Sequence, residues 1–330
     1  MHPAYFALVM ATGIVSIAAD LTVSRPVAIV LFAFNIVFYA WLWCLTIVRL
    51  ARHRERVRTD ILDHGRSVGF FTTVAATCVL GSQFVTIAGW WAAGAGLWAL
   101  GILLWIVVTY GVLTVLTVKS AKPDLAHGIN GGWLLPVVAA QSVAVLGVQL
   151  APGFAEDGRA VLFFALCLWL GGGMLYIWII SMIFYRYTFF TLLPSELAPP
   201  YWINMGAVAI STLAGALLVM AAPQSPLLDS LLPFLKGLTL LFWATATWWI
   251  PMLLTLGVWR HGYERFPFRY DPLYWGAVFP LGMYTVCTFR LSQALDMPVL
   301  ADVARLFVFA ALAAWMAVAA AWLLSMRTAD

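Results

Sequence analysis

The chain has 330 residues, of which 64% are apolar and only 10% charged, with a formal net charge of +4 and a mean hydropathy of +0.95. A soluble domain carries roughly 25% charged residues, so this composition excludes an ordinary soluble protein and predicts a surface that meets lipid. The basic residues lie in short loops and form no patch with interleaved aromatics, which gives no support to nucleic-acid binding.

Ten apolar runs approach the roughly 20 residues that a transmembrane helix needs. They cover residues 4–19, 26–50, 67–88, 90–118, 131–150, 159–190, 200–222, 231–259, 272–295 and 299–326. The longest clearly polar stretch is only 49–66. We therefore predict an all-α polytopic membrane protein with a single domain, 1–330, built from ten transmembrane helices.

The distribution of Lys and Arg predicts the orientation. Of the 18 basic residues, 13 follow even-numbered runs: Arg49, Arg52, Arg54, Arg56, Arg58, Arg66, Lys119, Lys122, Arg186, Arg260, Arg265, Arg269 and Arg327. The positive-inside rule places these loops and both chain ends in the cytoplasm, with the protein in the cell membrane. The links that follow odd runs are short and poorly charged, which indicates five helical hairpins.

Acids and histidines avoid the membrane interior. All 14 Asp and Glu lie in loops or near predicted helix ends, and the five histidines have no spacing typical of metal or haem ligands. This pattern disfavours a carboxylate relay and predicts no metal, cofactor or catalytic residue. The dense group Asp60, Asp63 and His64 leaves open a membrane-embedded enzyme acting on a lipid or quinone. A purely structural assembly subunit is a further alternative.

Neutral polar residues concentrate on the odd helices. They are Thr12, Ser16, Thr72, Thr73, Thr77, Ser82, Gln83, Thr86, Gln141, Ser142, Asn204, Ser211, Thr212, Tyr284, Thr285 and Thr288. Hydroxyls and amides can donate hydrogen bonds to a partly dehydrated anion without trapping it, which suits conduction. The alternative is that these side chains bond their own helix backbone or join neighbouring helices.

Helix 9 carries two further candidates. Arg290 lies 18 residues after Pro272, about 27 Å along the helix axis, where it could attract anions, snorkel, or pair with Asp296 or Asp302. Lys236 and Arg305 leave similar alternatives open. Phe279 precedes Pro280, and a proline kink can direct a ring into a lumen, whereas lipid-facing or packed positions are the ordinary ones for Phe.

Three stretches resemble one transporter family. They are HPAYFALVMATGIVS at 2–16, PPYWINMGAVAIS at 199–211 and YWGAVFPLGMYTVCTFRL at 274–291. They resemble the tellurite-resistance and dicarboxylate transporter family, which includes plant slow anion channels, malate transporters and sulfite exporters. The resemblance implies a homotrimer in which each protomer has a pore lined by the five odd helices and ringed by the even ones. It also implies that Phe279, followed by Pro280, plugs the pore.

We derive an expected site from the neutral polar residues, from the aromatics that open the odd helices and from the family resemblance. The gate is Phe279 with Pro280, Arg290 attracts anions, and the expected pore lining is Thr12, Ser16, Phe71, Thr77, Gln83, Trp133, Gln141, Asn204, Ser211 and Thr285. The expected function is an anion channel or facilitative transporter in the lipid bilayer. The substrate stays open between an inorganic anion, sulfite and a C4-dicarboxylate such as malate.

Overall fold

The computed structural model describes residues 2–268 and 270–327, apart from the side chain of Arg327. Arg269, which was counted among the basic loop residues, and the side chain of Arg327 therefore lie outside the described residues. The described chain is helical and contains no β-strand. The long helices, numbered here in chain order, are α1 Ala7–Thr22, α2 Arg25–Arg52, α3 Phe71–Thr86, α4 Trp91–Val118, α5 Leu135–Leu150, α6 Gly158–Phe189, α7 Ile203–Ala221, α8 Leu232–Val258, α9 Trp275–Ala294 and α10 Pro298–Arg327.

Length and hydropathy identify membrane-crossing helices in most of this chain. Eight segments of the described residues are long and apolar enough to span a bilayer, and one of them, Gly131–Phe189, contains both α5 and α6. Helix α9 is not among these segments. The structure thus shows an all-helical polytopic membrane protein, while the number of ten spans stays a prediction.

Each odd helix begins with a tight 3-10 turn. These turns are Pro3–Phe6, Val68–Phe70, Gly131–Leu134, Pro199–Trp202 and Pro272–Tyr274. Proline suits the first position of a helix because its missing N–H would have no partner there. Side chains cap three of the turns: the amides of Ala4, Gly132 and Leu273 donate to His2, Asn130 and Asp271 at 3.1, 2.8 and 2.8 Å, respectively. Aromatic residues lie in these turns and at the helix starts that follow them, among them Tyr5, Phe70, Trp133, Tyr201 and Trp275.

Burial separates odd helices from even ones. In the most apolar window of each segment, 83% of residues are buried for Pro3–Thr22, 83% for His64–Thr86 and 94% for Pro199–Gln224. The corresponding shares for the segments of α2, α4, α8 and α10 are 28%, 17%, 22% and 11%. Odd helices are therefore interior elements, and even helices present side chains to the surroundings.

Contacts between helices follow the same division. Helix α1 packs against α3 and α9, α5 packs against α3 and α7, and α7 also packs against α9. Each even helix packs against the odd helix that precedes it. The ring of Pro280 lies against Gly206, where a Cβ atom would be 2.8 Å from the proline Cγ, so α7 and α9 approach closely at the proline.

Connections add short helices that the hydropathy pattern did not predict. The polar stretch after α2 forms a nine-residue helix, Arg54–Leu62, followed by His64–Ser67. Asp60 lies buried in this connection and accepts hydrogen bonds from Arg49 and Arg66. Burial alone would raise the pKa of Asp60, but the two arginines outweigh it and lower the pKa, so the carboxylate is charged at neutral pH.

Candidate functional site

Two cavities lie between the odd helices, one toward each end. Cavity A has a volume of about 100 Å³ and is lined near the N-terminal ends of all five odd helices. Its lining residues are His2, Ala4, Ala7, Met10, Gly65, Val68, Gly69, Thr72, Asn130, Gly131, Gly132, Leu135, Ala198, Pro200, Tyr201, Ile203, Leu273, Gly276 and Phe279. Because helix N-termini carry partial positive charge, this end of the bundle favours an anion.

Cavity B is smaller and lies toward the C-terminal halves of the same helices. It measures about 20 Å³, which is room for roughly one water molecule. Its lining residues are Ile14, Ile17, Cys78, Val79, Ser82, Thr86, Ser142, Val145, Gln149, Ile210, Leu213, Met283, Val286 and Arg290. Hydroxyls and an amide therefore share this cavity with one arginine.

An apolar barrier separates the two cavities. Phe279 lines cavity A and Met283, one helical turn later, lines cavity B. Met10 and Ile14 are related in the same way on α1, and all four side chains are only 1% exposed. These four side chains therefore form an apolar layer between the residues that line the two cavities.

Cavity A has a titratable side chain at its rim. The Nδ1 atom of His2 accepts the amide proton of Ala4, which requires that this nitrogen be unprotonated. Burial and then the positive charge of Arg66 lower the pKa of His2 to about 4, against opposing effects of Asp60 and Asp271. His2 is therefore neutral at pH 7 and becomes a cation only in acid.

Arg290 provides the charge in cavity B. Its Nη1 atom donates to Gln293 Oε1 at 2.9 Å. Asp302, a partner considered from the sequence, instead forms an ion pair with Arg305 at 2.9 Å. Among the described residues that line the two cavities, Arg290 carries the only permanent positive charge. Lys236 lies exposed on α8.

Most of the predicted pore-lining side chains instead join odd helices to even ones. Hydrogen bonds connect Thr12 with Trp315 (3.0 Å), Ser16 with the carbonyl of Ala28 (2.7 Å), Thr77 with Tyr39 (2.9 Å), Gln83 with Asn35 (2.6 Å), Gln141 with the carbonyl of Trp169 (3.0 Å) and Asn204 with Tyr187 (3.1 Å). None of these six lines cavity A or cavity B. Their placement favours the helix-joining role that the sequence had left open.

The other four predicted lining residues also line neither cavity. Ser211 and Thr285 donate to carbonyls of their own helices, those of Ala207 at 2.7 Å and Leu281 at 3.1 Å. Phe71 is fully buried, and the indole N–H of Trp133 donates to the carbonyl of Gly128 at 2.8 Å. Of the expected site, the structure brings Phe279 to cavity A and Arg290 to cavity B.

Other polar residues take the lining positions. Thr72, Ser82, Thr86 and Ser142 belong to the polar set noted on the odd helices, whereas Gln149 was not singled out. Ser82 and Thr86 are four residues apart and share one helix face, which is the pattern that could have distinguished them from Gln83. The carbonyl oxygen of Gln149 is buried without a hydrogen-bond partner among the described residues, while the hydroxyls of Thr86 and Ser142 donate to carbonyls of their own helices, at 2.7 and 2.6 Å.

The enzyme alternative depended on Asp60, Asp63 and His64. The two acids of this group have structural roles. Asp63 Oδ1 accepts the amide protons of Gly65 and Arg66 at 2.9 and 2.8 Å, and Asp60 holds two arginines. Neither carboxylate lines cavity A.

Residues 1–323 match the voltage-dependent anion channel family SLAC1. The chain belongs to this family. Its members are anion channels and transporters rather than enzymes. The family resemblance read from the three sequence stretches is thereby confirmed.

Curated relatives point the same way. The chain is 38% identical over 141 residues to an uncharacterized membrane protein of Mycobacterium tuberculosis, covering 43% of this chain and 71% of the relative. It is 27% identical over 299 residues to an uncharacterized transporter of Methanocaldococcus jannaschii, covering 86% of this chain and 81% of the relative. A sulfite efflux pump of Arthroderma otae is 25% identical over 341 residues, with 96% of this chain and 88% of the relative covered.

Proposed function

We propose that this SLAC1-family protein is an anion channel or facilitative transporter that passes small anions through cavities A and B. The observation that carries the proposal is the alignment of both cavities along the same five helices, with an apolar barrier between them. In this proposal all ten long helices cross the bilayer, the odd helices form an inner ring around the path, and the even helices form an outer ring. Residues 1–330 then act as one transmembrane domain.

Phe279 is the proposed gate. Its ring lines cavity A and is 1% exposed, and Pro280 fixes the backbone beside it by packing against Gly206. A ring in this position closes the path sterically and keeps the barrier free of water. Joining the two cavities then requires that the Phe279 ring moves aside together with the neighbouring side chains of the barrier, Met10, Ile14 and Met283.

Arg290 is the proposed anion-attracting residue. The guanidinium of Arg290 lies beside hydroxyls and donates to the neutral side chain of Gln293, whereas the carboxylate that acts on it, Asp20, forms its own ion pair with Arg25. The positive charge therefore favours anions over cations in cavity B. A single fixed cation suits a small inorganic anion or sulfite better than a C4-dicarboxylate, because two carboxylates would call for two cationic partners. The sulfite efflux pump among the relatives supports sulfite as one substrate to test.

The location and assembly are part of the same proposal. The excess of basic residues in loops after even helices supports the cell membrane with both chain ends in the cytoplasm, which puts cavity A on the cytoplasmic side. The family resemblance supports a homotrimer in which every protomer has its own path.

The direct test is efflux from proteoliposomes loaded in turn with chloride, nitrate, sulfite and malate. The proposal expects release of the small anions above the rate of protein-free vesicles and little release of malate. Malate release at the rate of chloride would contradict the argument from the single cation. A folded protein that releases none of the four would overturn the proposed function.

A further inference from the structure

A third opening, the lateral groove, lies outside the inner helices. It runs between α2, α4 and the short helix Arg54–Leu62, with a volume of about 400 Å³. Apolar side chains dominate its wall, among them Trp43, Leu50, Val57, Ile61, Leu104 and Val107. Leu50 and Val107 are 49% and 60% exposed, so the groove opens toward the surroundings of the protein.

The polar side chains of the wall are already engaged within the protein. Thr46 donates to the carbonyl of Leu42 at 2.8 Å, Thr73 donates to that of Phe70 at 2.7 Å, and Arg49 pairs with Asp60. Inside the groove, a polar ligand would lose its hydrogen bonds to water and regain few of them. A long apolar chain is the ligand that the wall fits.

The mouth of the groove is basic. The segment 49–66 contains six arginines against three acids, Glu55, Asp60 and Asp63. Arg54 and Arg58 each lie three residues before a groove residue, Val57 and Ile61, and therefore share that side of the short helix. Both arginines are exposed, and the nearest acid to Arg58 is Glu55 at 4.0 Å.

An apolar groove with cations at its mouth matches an amphiphile whose charged end is negative. We propose that the lateral groove binds an anionic phospholipid, with one acyl chain beside Trp43 and Val107 and the phosphate at Arg54 and Arg58. Exposed arginines beside a membrane surface attract anionic headgroups, and the guanidinium group matches phosphate oxygens in pairs.

The groove shares its inner wall with cavity A. In the turn before α1 and the first residue of that helix, Pro3 and Phe6 face the groove while Ala4 and Ala7 face cavity A. In the corresponding turn and the first residues of α3, Phe70 and Thr73 face the groove while Gly69 and Thr72 face cavity A. A bound acyl chain thus supports the two turns that shape the cavity. An effect of the bound lipid on anion passage through cavity A rests on the proposed function, whereas lipid binding itself does not.

Gly111 allows the groove to be filled without disturbing the helix bundle. It lies in the groove wall on α4, and a Cβ atom added there meets nothing within 4 Å. Gly96 on the same helix is equally open and lies outside the groove. Gly111→Leu and Gly96→Leu are therefore a matched pair of variants.

The binding test uses native mass spectrometry of the detergent-purified protein with dioleoyl phosphatidylglycerol or dioleoyl phosphatidylcholine. The wild type should retain phosphatidylglycerol in preference to phosphatidylcholine. Gly111→Leu should weaken its retention about tenfold, which is the loss expected when contacts of about two methylenes are removed, and Gly96→Leu should not. The double variant Arg54→Gln with Arg58→Gln should abolish the preference between the two lipids.

Two results would overturn the proposal. One is equal retention by the wild type and Gly111→Leu. The other is a change of oligomeric state in Gly111→Leu with unchanged lipid retention, which would make the groove an interface between copies of the chain.

In proteoliposomes, added phosphatidylglycerol should raise anion efflux through the wild type and not through Gly111→Leu. Selective lipid retention without any efflux would leave the lipid site standing and refute the proposed function instead.

Discussion

Replacing Phe279 by Ala should open the path between cavities A and B. The ring is 1% exposed, and taking an apolar ring of this size out of contact costs about 1.5–3 kcal/mol. Since 1.4 kcal/mol is a factor of ten, a cost of this size predicts that the barrier opens in about one molecule in ten to one in a hundred. Removing the ring should therefore raise chloride efflux from proteoliposomes about ten- to a hundredfold.

The same substitution removes a buried ring, so a stability control is needed. Phe→Ala in a core costs about 3–5 kcal/mol. Phe242 on α8 is 3% exposed, packs 5.9 Å from the ring of Trp169, and lines neither cavity. Phe242→Ala should lower thermal stability comparably and leave efflux per folded protein unchanged. Efflux that stays at the wild-type level in a monodisperse, folded Phe279→Ala protein would refute the gate.

Three further predictions concern charge and polarity. Arg290→Gln should lower chloride efflux severalfold because cavity B loses its positive charge. Arg305→Gln, which removes an exposed ion pair, should leave efflux unchanged, and equal rates for the two variants would contradict the role of Arg290. Chloride efflux through the wild type should rise as the pH falls from 7 through about 4, because His2 becomes a cation at the rim of cavity A. The His2→Asn protein should lack this rise. Gln83→Leu should lower thermal stability, by about 1–3 kcal/mol, because Asn35 loses its buried partner, and it should leave chloride efflux intact; a large loss of efflux in a stable variant would return Gln83 to the pore.

The helices were predictable because apolar runs of membrane-spanning length leave few alternatives. The run at 159–190 became α6, Gly158–Phe189, and the run at 231–259 became α8, Leu232–Val258. The helix Arg54–Leu62 was not predicted, because it is mostly polar and its few apolar side chains become significant only once the groove is formed.

Whether a polar side chain faces a neighbouring helix or a cavity was not predictable from one sequence. An odd helix has an even helix on one side and a cavity on another, so it is buried all round and has no polar stripe that marks the lumen. Thr77 and Gln83 face α2, while Ser82 and Thr86 on the same helix reach cavity B. Only the packed arrangement of the helices distinguishes these two roles.

Passage of anions through the interior of the protein can be measured electrically. The most direct measurement is the reversal potential of the Phe279→Ala protein in a planar bilayer under a chloride gradient, with the cation exchanged between the two sides. Anion passage predicts a reversal potential that follows the chloride gradient and does not move when sodium is replaced by potassium. A reversal potential that follows the cation gradient, or a current no larger than that of the bare bilayer, would contradict it.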